Sequence, residues 1–296
     1  MEKKKRERSL HLVKRIQKQN LIGVSDENPI ILEMSYNSAR DELFFADHGN
    51  HVVKVMHLHD NLGDLRTVYK GSKFCKSPCL INVCYISVLD TLLLCTYETG
   101  PDRTFAKWLV ALTRIATEWH EAMRLKIDIE ATKSFVLSNS RVLIGGTNSS
   151  NINLFSVKRG PSIKHDRCIQ VPEEYAYNSV TETSSNETLV AMSYRTAQSV
   201  RVYRLQGNSL VELARIQCNN PCDLLWLNGR LLVTELHGDS HEIIELEMID
   251  TKLKRRSKLL DVSSHIRVWK WQSVMKSGLV LIDLNTMDLL HYSLME

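Results

Sequence analysis

Three kinds of side-chain grouping in this 296-residue sequence have the types and spacing to do chemistry. The first is a pair of Cys-x3-Cys segments, Cys75 to Cys79 in CKSPC and Cys218 to Cys222 in CNNPC, each able to supply two of the four ligands of a zinc ion. The second is histidine beside acid or histidine: His241-Glu242-Ile243-Ile244-Glu245, and His57 with His59 in MHLHD. A zincin-like use of the former needs a helix to bring both ligands to one face. On a strand, His241 and Glu245 share a face and Glu242 points away. The third is a set of carboxylates, Glu33, Asp47, Asp223 and Asp283, far apart in sequence. Only a fold that gathers them on an axis could make them an oxygen-rich cation site or a hydrolytic centre. The sequence holds no glycine-rich phosphate loop and no Gly-x-Ser-x-Gly elbow.

The elements that must position these residues are strands. Glu42 to Met56 reads ELFFADHGNHVVKVM, an apolar run, an Asp-His-Gly-Asn turn and a β-branched run, which is a hairpin signal. The pattern recurs. A proline precedes an apolar strand at Pro29, Pro78, Pro172 and Pro221, with spacings of 49, 94 and 49 residues, so one repeat is about 48 residues long. Proline-less members are expected near positions 125 and 268, where KSFVLSNSRVLIGG and RVWKWQSVMKSGLVLI each read as strand, turn, strand. Each repeat resolves into four short apolar segments, except the sixth, which has three.

Four segments per repeat and six repeats predict an all-β fold: a six-bladed β-propeller of four-stranded antiparallel blades. The blades are placed at residues 29–71, 78–127, 133–171, 175–218, 222–262 and 267–294. The missing strand of the last blade is assigned to Ser9–Ile16, read as SLHLVKRI, with Leu10, Leu12 and Ile16 on its apolar face; residues 1–8 are then a basic leader and residues 9–296 one domain. A helix over Ala106–Lys126 competes with strands there, because Trp108, Leu112, Ile115, Trp119 and Met123 have helical spacing. Trp269 and Trp271 share one face of an innermost strand, and Trp226 lies on another; packing between blades is favoured over stacking on nucleotides. Three repeats separate the cysteine pairs, which places them on opposite sides of the ring. They are therefore read as structural, and no metal or other cofactor is assigned.

Composition bounds the partners. The chain is 43% hydrophobic and 24% charged, and no apolar run approaches the roughly 18 residues needed to span a bilayer as a helix, so no membrane contact is expected. Residues 1–19 hold eight Lys or Arg against Glu2 and Glu7, a local balance of +6 that leaves −2 for the rest. A nearly neutral body lacks the broad basic footprint of a nucleic-acid-binding face. Seven cysteines, mostly in apolar stretches, and the lack of a signal-peptide core point to a cytoplasmic protein, with nuclear import through the basic N-terminus as the alternative.

The Glu42–Met56 hairpin resembles an NHL repeat: Ala46, Asp47, Gly49, Asn50, His51, Val53 and Val55 match that family's pattern. The resemblance covers about 30 residues well and fades in the other blades. It implies six-bladed topology and a binding role for the face carrying the second-to-third-strand and inter-blade loops. On that face fall His48, His51, Lys73, Lys76, Tyr175, Arg195, His237 and His241. The expectation is a non-catalytic scaffold, not an enzyme, that binds a protein partner through these loops, with no small-molecule substrate assigned. Two alternatives stay open: an RNA-binding NHL-type propeller, and a metal-dependent propeller hydrolase or lactonase using channel carboxylates.

Overall fold

The apolar runs of this chain become strands buried on both faces. The computed structural model describes residues 9–22, 29–58, 65–71, 80–99, 105–129, 131, 133–138, 140–145, 150–160, 162–171, 177–184, 188–238, 240–249, 252–262, 268–274, 278–283 and 285–295. Among these, helical structure is limited to two short 3-10 turns, Lys18–Leu21 and Ser87–Leu89.

Among the described residues, twenty-four strands fall into six antiparallel runs of four, each running outward from the centre, and one parallel bridge, Gln170 to Ser209, joins the outer strands of the third and fourth runs into an eight-stranded sheet. The first holds β2 (Ile31–Asn37), β3 (Glu42–Asp47), β4 (Val52–His57) and β5 (Arg66–Lys70). The second holds β6 (Leu80–Ile86), β7 (Thr91–Thr99), β8 (Phe105–Ile115) and β9 (Glu118–Ile127). The third holds β10 (Lys133–Leu137), β11 (Arg141–Gly145), β12 (Asn151–Lys158) and β13 (Ser162–Gln170). The fourth holds β14 (Tyr177–Ser184), β15 (Leu189–Tyr194), β16 (Ser199–Gln206) and β17 (Ser209–Gln217). The fifth holds β18 (Pro221–Leu227), β19 (Arg230–His237), β20 (Ser240–Ile249) and β21 (Lys252–Val262). The sixth holds β22 (Val268–Val274), β23 (Gly278–Asp283), β24 (Leu289–Met295) and, as its outer strand, β1 (Ser9–Ile16).

The innermost strands β2, β6, β10, β14, β18 and β22 touch in that cyclic order, and β22 meets β2 to close the ring. Six hydrophobic clusters sit one between each pair of neighbouring blades. This explains the ELFFAD sequence of β3, which is buried throughout. Leu43 and Phe45 pack toward the sixth blade, while Phe44 and Ala46 pack toward the second. Alternation survives, but it selects a neighbour rather than core against water. The LLLC run of β7 divides the same way, with Leu92 and Leu94 toward the first blade and Leu93 and Cys95 toward the third.

The same two-sidedness resolves Ala106–Lys126. It is the hairpin β8–β9, not a helix: Leu109 and Ala111 face the third blade, Val110 and Leu112 the first. With apolar residues wanted on both faces, the helical spacing of Trp108, Leu112, Ile115, Trp119 and Met123 carried no information about period.

The closing strand lies where the repeat arithmetic put it. β1 pairs antiparallel with β24, from Ser9 opposite Met295 to Ile16 opposite Leu289. Leu10 and Ile16 are buried, but Leu12 is 52% exposed. A register shift between Leu12 and Lys14 leaves Val13 exposed as well, and Lys14 donates to the Leu58 carbonyl at 3.1 Å. The expected single apolar face of Leu10, Leu12 and Ile16 is thereby corrected: the bulge turns Leu10 toward the fifth blade and Ile16 toward the first, and Leu12, on the Leu10 side of the bulge, is left exposed.

Short polar devices repeat with the blades. Tyr36 donates to Asp41 at 2.7 Å in the first blade and Tyr85 to Asp90 at 3.0 Å in the second; the two pairs are offset by 49 residues, the proline-to-proline spacing. In the fifth blade Asn228 and Gly229, both with positive φ, make the tight turn from β18 to β19.

Candidate functional site

A cavity of about 320 Å³ runs along the axis and is lined by all six innermost strands. In five blades the pairing of first and second strands slips near the start of the inner strand: between Ile31 and Glu33, Leu80 and Asn82, Tyr177 and Ser179, Pro221 and Leu224, and Val268 and Trp271. The third blade keeps unbroken register from Lys133 to Leu137. Bulges re-aim side chains, and the residues at or beside four of these slips, Glu33, Ser179, Asp223 and Trp271, line the channel.

The wall is polar in a particular way. Carboxylates arrive from three blades as Glu33, Glu182 and Asp223, hydroxyls as Ser35, Ser134, Ser179 and Thr181, and an amide as Gln272. Among the described residues, no lysine, arginine or histidine lines the channel. Several of the polar groups also tie one blade to the next. Ser35 Oγ accepts the Tyr85 N–H at 2.8 Å, Cys84 Sγ lies 2.8 Å from Ser134 Oγ, and Glu182 accepts from the N–H and hydroxyl of Ser138 at 2.6 and 3.0 Å. Asp223 is fixed at both ends of the residue: its N–H donates to Thr234 at 2.8 Å and its Oδ1 accepts the Leu224 N–H at 3.0 Å. Glu33 is half-buried and more open to the channel.

Of the four carboxylates singled out in the sequence, Glu33 and Asp223 reach the channel, whereas Asp47 and Asp283 close turns. Asp47 is fully buried and accepts from the N–H groups of Ile30 and Asn50, from the Asn50 amide and from Lys54. Asp283 accepts from the Asn285 N–H and the Thr286 hydroxyl. Glu182, the channel serines and Gln272 went unnoticed in the sequence, since a lone polar residue in a short apolar strand has no motif around it. Trp271 is buried between the fifth and sixth blades and also borders the channel, while Trp226 is half-buried on its wall.

The loop-face residues are dispersed. His48 follows β3 and is buried, His51 is half-buried with φ at +54°, and Arg195 is exposed in the turn after β15. His241 is buried on β20, and His237 is half-buried at the end of β19. Lys73, Lys76 and Tyr175 lie outside the described residues. The structure brings one of the eight, His237, into a cluster with acids: Glu235 and Glu242 present carboxylate oxygens to its Nε2.

Cys75 and Cys79 lie outside the described residues, Cys218 is a buried free thiol and Cys222 a half-buried one. Burial, followed by the neighbouring Glu235, pushes the Cys218 thiol up to about 12; burial also raises that of Cys222. His57 is bound to the Arg40 carbonyl at 3.1 Å, and His59 lies outside the described residues. HEIIE is part of strand β20, as its alternation required.

No protein-family model and no curated protein matches this sequence. Solved structures do share its shape. A Bacteroides fragilis protein assigned as a 6-phosphogluconolactonase aligns over 92% of this chain and 82% of its own, at 9% identity and a TM-score of 0.62. The soluble aldose sugar dehydrogenase of Escherichia coli aligns over 97% of this chain and 99% of its own, at 7% identity and a TM-score of 0.60. A chain of a mitotic checkpoint complex aligns over 97% and 96%, at 11% identity and a TM-score of 0.62. The expectation of a non-catalytic, partner-binding scaffold is corrected here: enzyme names recur among these neighbours, and the catalytic alternative is the one carried forward as a proposal. At such low identities the likeness speaks for fold, and the fold is plain: the chain is an all-β propeller closed by its own N-terminal strand.

Proposed function

We propose that this propeller is a hydrolase whose active site is the axial channel, acting on a small, polar, uncharged ester of the sugar-lactone type. One observation carries the reading: carboxylates from separate blades, Glu33, Glu182 and Asp223, line a channel of about 320 Å³ whose wall also holds hydroxyls, an amide, aromatic rings and aliphatic side chains. That volume is within the roughly 300–1,000 Å³ of small-molecule sites. The shape neighbour assigned to a phosphorylated sugar lactone supports the class. It does not support the phosphate, because a phosphoryl group would call for arginine or lysine and, among the described residues, the lining supplies neither.

Opening a lactone requires a base to activate water and donors for the oxygen that gains charge. Glu33, half-buried and open to the channel, is placed as the base. Ser179 and Gln272 are the donors nearest in kind to what the carbonyl oxygen needs, and Asp223, held by the Leu224 N–H, orients the sugar hydroxyls. A divalent cation would be the other route to the same chemistry, and its fit can be tested on the donor positions. Among the described residues, the one group of three acidic, histidine or cysteine donors close enough to share an ion is Glu235, His237 and Glu242, outside the channel lining. The channel carboxylates are not gathered that way, so no step here is routed through a metal.

The NHL-like reading of the Glu42–Met56 hairpin is retained as a description of the first blade and contributes nothing to the activity. The proposal is tested by following acid release from neutral sugar δ-lactones, with and without added calcium. Turnover above the uncatalysed rate is expected, with loss of at least 100-fold in Glu33→Gln and an unchanged melting temperature. Absence of turnover on any neutral lactone, or full activity in Glu33→Gln, overturns it.

A further inference from the structure

The hairpin β19–β20 carries a second polar centre that the channel chemistry does not use. Glu235 and Glu242 stand directly opposite each other in the ladder, and His237 follows Glu235 by two residues, so all three side chains share one face of the sheet. Like charges directly opposite are destabilising unless a cation lies between or beside them. Glu235 is fully buried, so its charge must be compensated there. His237 Nε2 lies 3.3 Å from Glu235 Oε2 and 3.6 Å from Glu242 Oε2.

We propose that Glu235, His237 and Glu242 form a binding site for one divalent transition-metal ion of the zinc type. Three donor atoms, two carboxylate oxygens and one imidazole nitrogen, lie within 4.8 Å of one another, a spacing that one ion can bridge. A three-ligand nitrogen and oxygen set leaves a coordination position open, as zinc sites with chemistry do. The surroundings hold the donors in place. The Asn219 N–H donates to Glu235 Oε1 at 3.0 Å, and the Asn219 amide lies 2.7 Å from His237 Nδ1. With the Asn219 amide nitrogen as donor, Nδ1 accepts and Nε2 carries the hydrogen that faces the carboxylates; ligation through Nε2 takes an Asn219 amide turned so that its oxygen accepts from Nδ1–H. A second cavity, bordered by Cys218 and Asn219, adjoins this support.

Two cations now neutralise the acids. Lys258 donates to Glu242 Oε1 at 2.7 Å, the oxygen that the ion does not need. Arg255 reaches Glu235 Oε2 from a half-exposed side chain whose own ladder partner is Leu246, four positions along β20 from Glu242. Arg255 is therefore a displaceable counter-ion, and the ion and its guanidinium compete for one oxygen.

The test is calorimetric titration of the full chain with Zn²⁺, and with Co²⁺ followed by its visible absorption. One saturable site per chain is expected. His237→Ala and Glu242→Gln should each weaken it at least tenfold, His57→Ala should leave it unchanged, and Arg255→Ala should tighten it. His237→Ala and Glu242→Gln are checked for an unaltered melting temperature without metal. Failure to saturate at one ion per chain, equal affinity in His237→Ala and the parent protein, or weaker binding in Arg255→Ala overturns the assignment. Lactone turnover is read separately, so a failed channel hypothesis leaves this result interpretable.

Discussion

Asp47 and Lys54 are both inaccessible, at 0% and 1% side-chain exposure, and meet at 2.9 Å. Lys54 also donates to the Leu21 carbonyl at 2.8 Å, which anchors the segment after β1 to the first blade. Removing one partner of a buried pair leaves an uncompensated charge and costs about 3–5 kcal/mol. Lys54→Met should therefore lower unfolding free energy by about that amount in urea titrations, and adding Asp47→Asn should recover part of the loss. A cost within experimental error of zero for Lys54→Met would show that the pair contributes nothing. Cys218 gives a pH dependence at the same scale. Its folded pKa, pushed up to about 12, exceeds the roughly 8.5 of an unfolded thiol. Between those values the unfolded chain binds fewer protons than the folded one, so stability falls as pH rises through that window. Melting temperature followed from pH 7 to 10 should decline less steeply in Cys218→Ala than in the parent protein.

Among elements, β1 has the largest consequence for its length. It donates Leu10 to the interface of the fifth and sixth blades and Ile16 to that of the sixth and first. Burial of such aliphatic side chains contributes about 1.5–3 kcal/mol each, and β1 also covers the edge of β24, which would otherwise offer unpaired backbone groups to another chain. Deleting residues 1–17 should lower the melting temperature by several degrees and promote aggregation, visible by light scattering, whereas deleting residues 1–8 leaves β1 intact and should be nearly neutral. An unchanged melting curve for the longer deletion would refute the closing role. Substitutions at Leu12 and Val13, both exposed at the bulge, should be tolerated.

For the whole molecule, a ring in which every blade packs on two others has no blade that can unfold at little cost to its neighbours. Phe44 illustrates the coupling: it belongs to the first blade, stacks on Tyr85 of the second at 5.6 Å between ring centroids, and meets the Trp119 edge at the same distance. Equilibrium unfolding should accordingly be a single transition, with far-ultraviolet dichroism and tryptophan fluorescence coincident. Two separated transitions would mean that part of the ring is an independent unit. Phe44→Ala should shift that common midpoint, with a cost of about 3–5 kcal/mol, rather than detach one blade.

Local chemistry in the chain was enough for the repeat and its closure. A proline before each of four apolar runs, turn residues after them and a spare strand at residues 9–16 led to six four-stranded units, because strand length, turn composition and period are written in neighbouring residues. It was also enough to name Glu33 and Asp223 among the acids that a ring could gather. Tertiary structure decided which acids the ring gathers. Asp47 and Asp283 look like Asp223 in sequence, but they sit at the ends of second strands, where backbone N–H groups claim them, while Asp223 sits at a bulge of an innermost strand. Tertiary structure also decided β8–β9, since apolar residues on both faces erase the period that separates helix from strand. The Glu235, His237 and Glu242 group belongs to the same class of facts: two opposed carboxylates and an imidazole become neighbours only when β19 and β20 pair in a particular register, and a shift of one residue would turn one strand's donors to the opposite face.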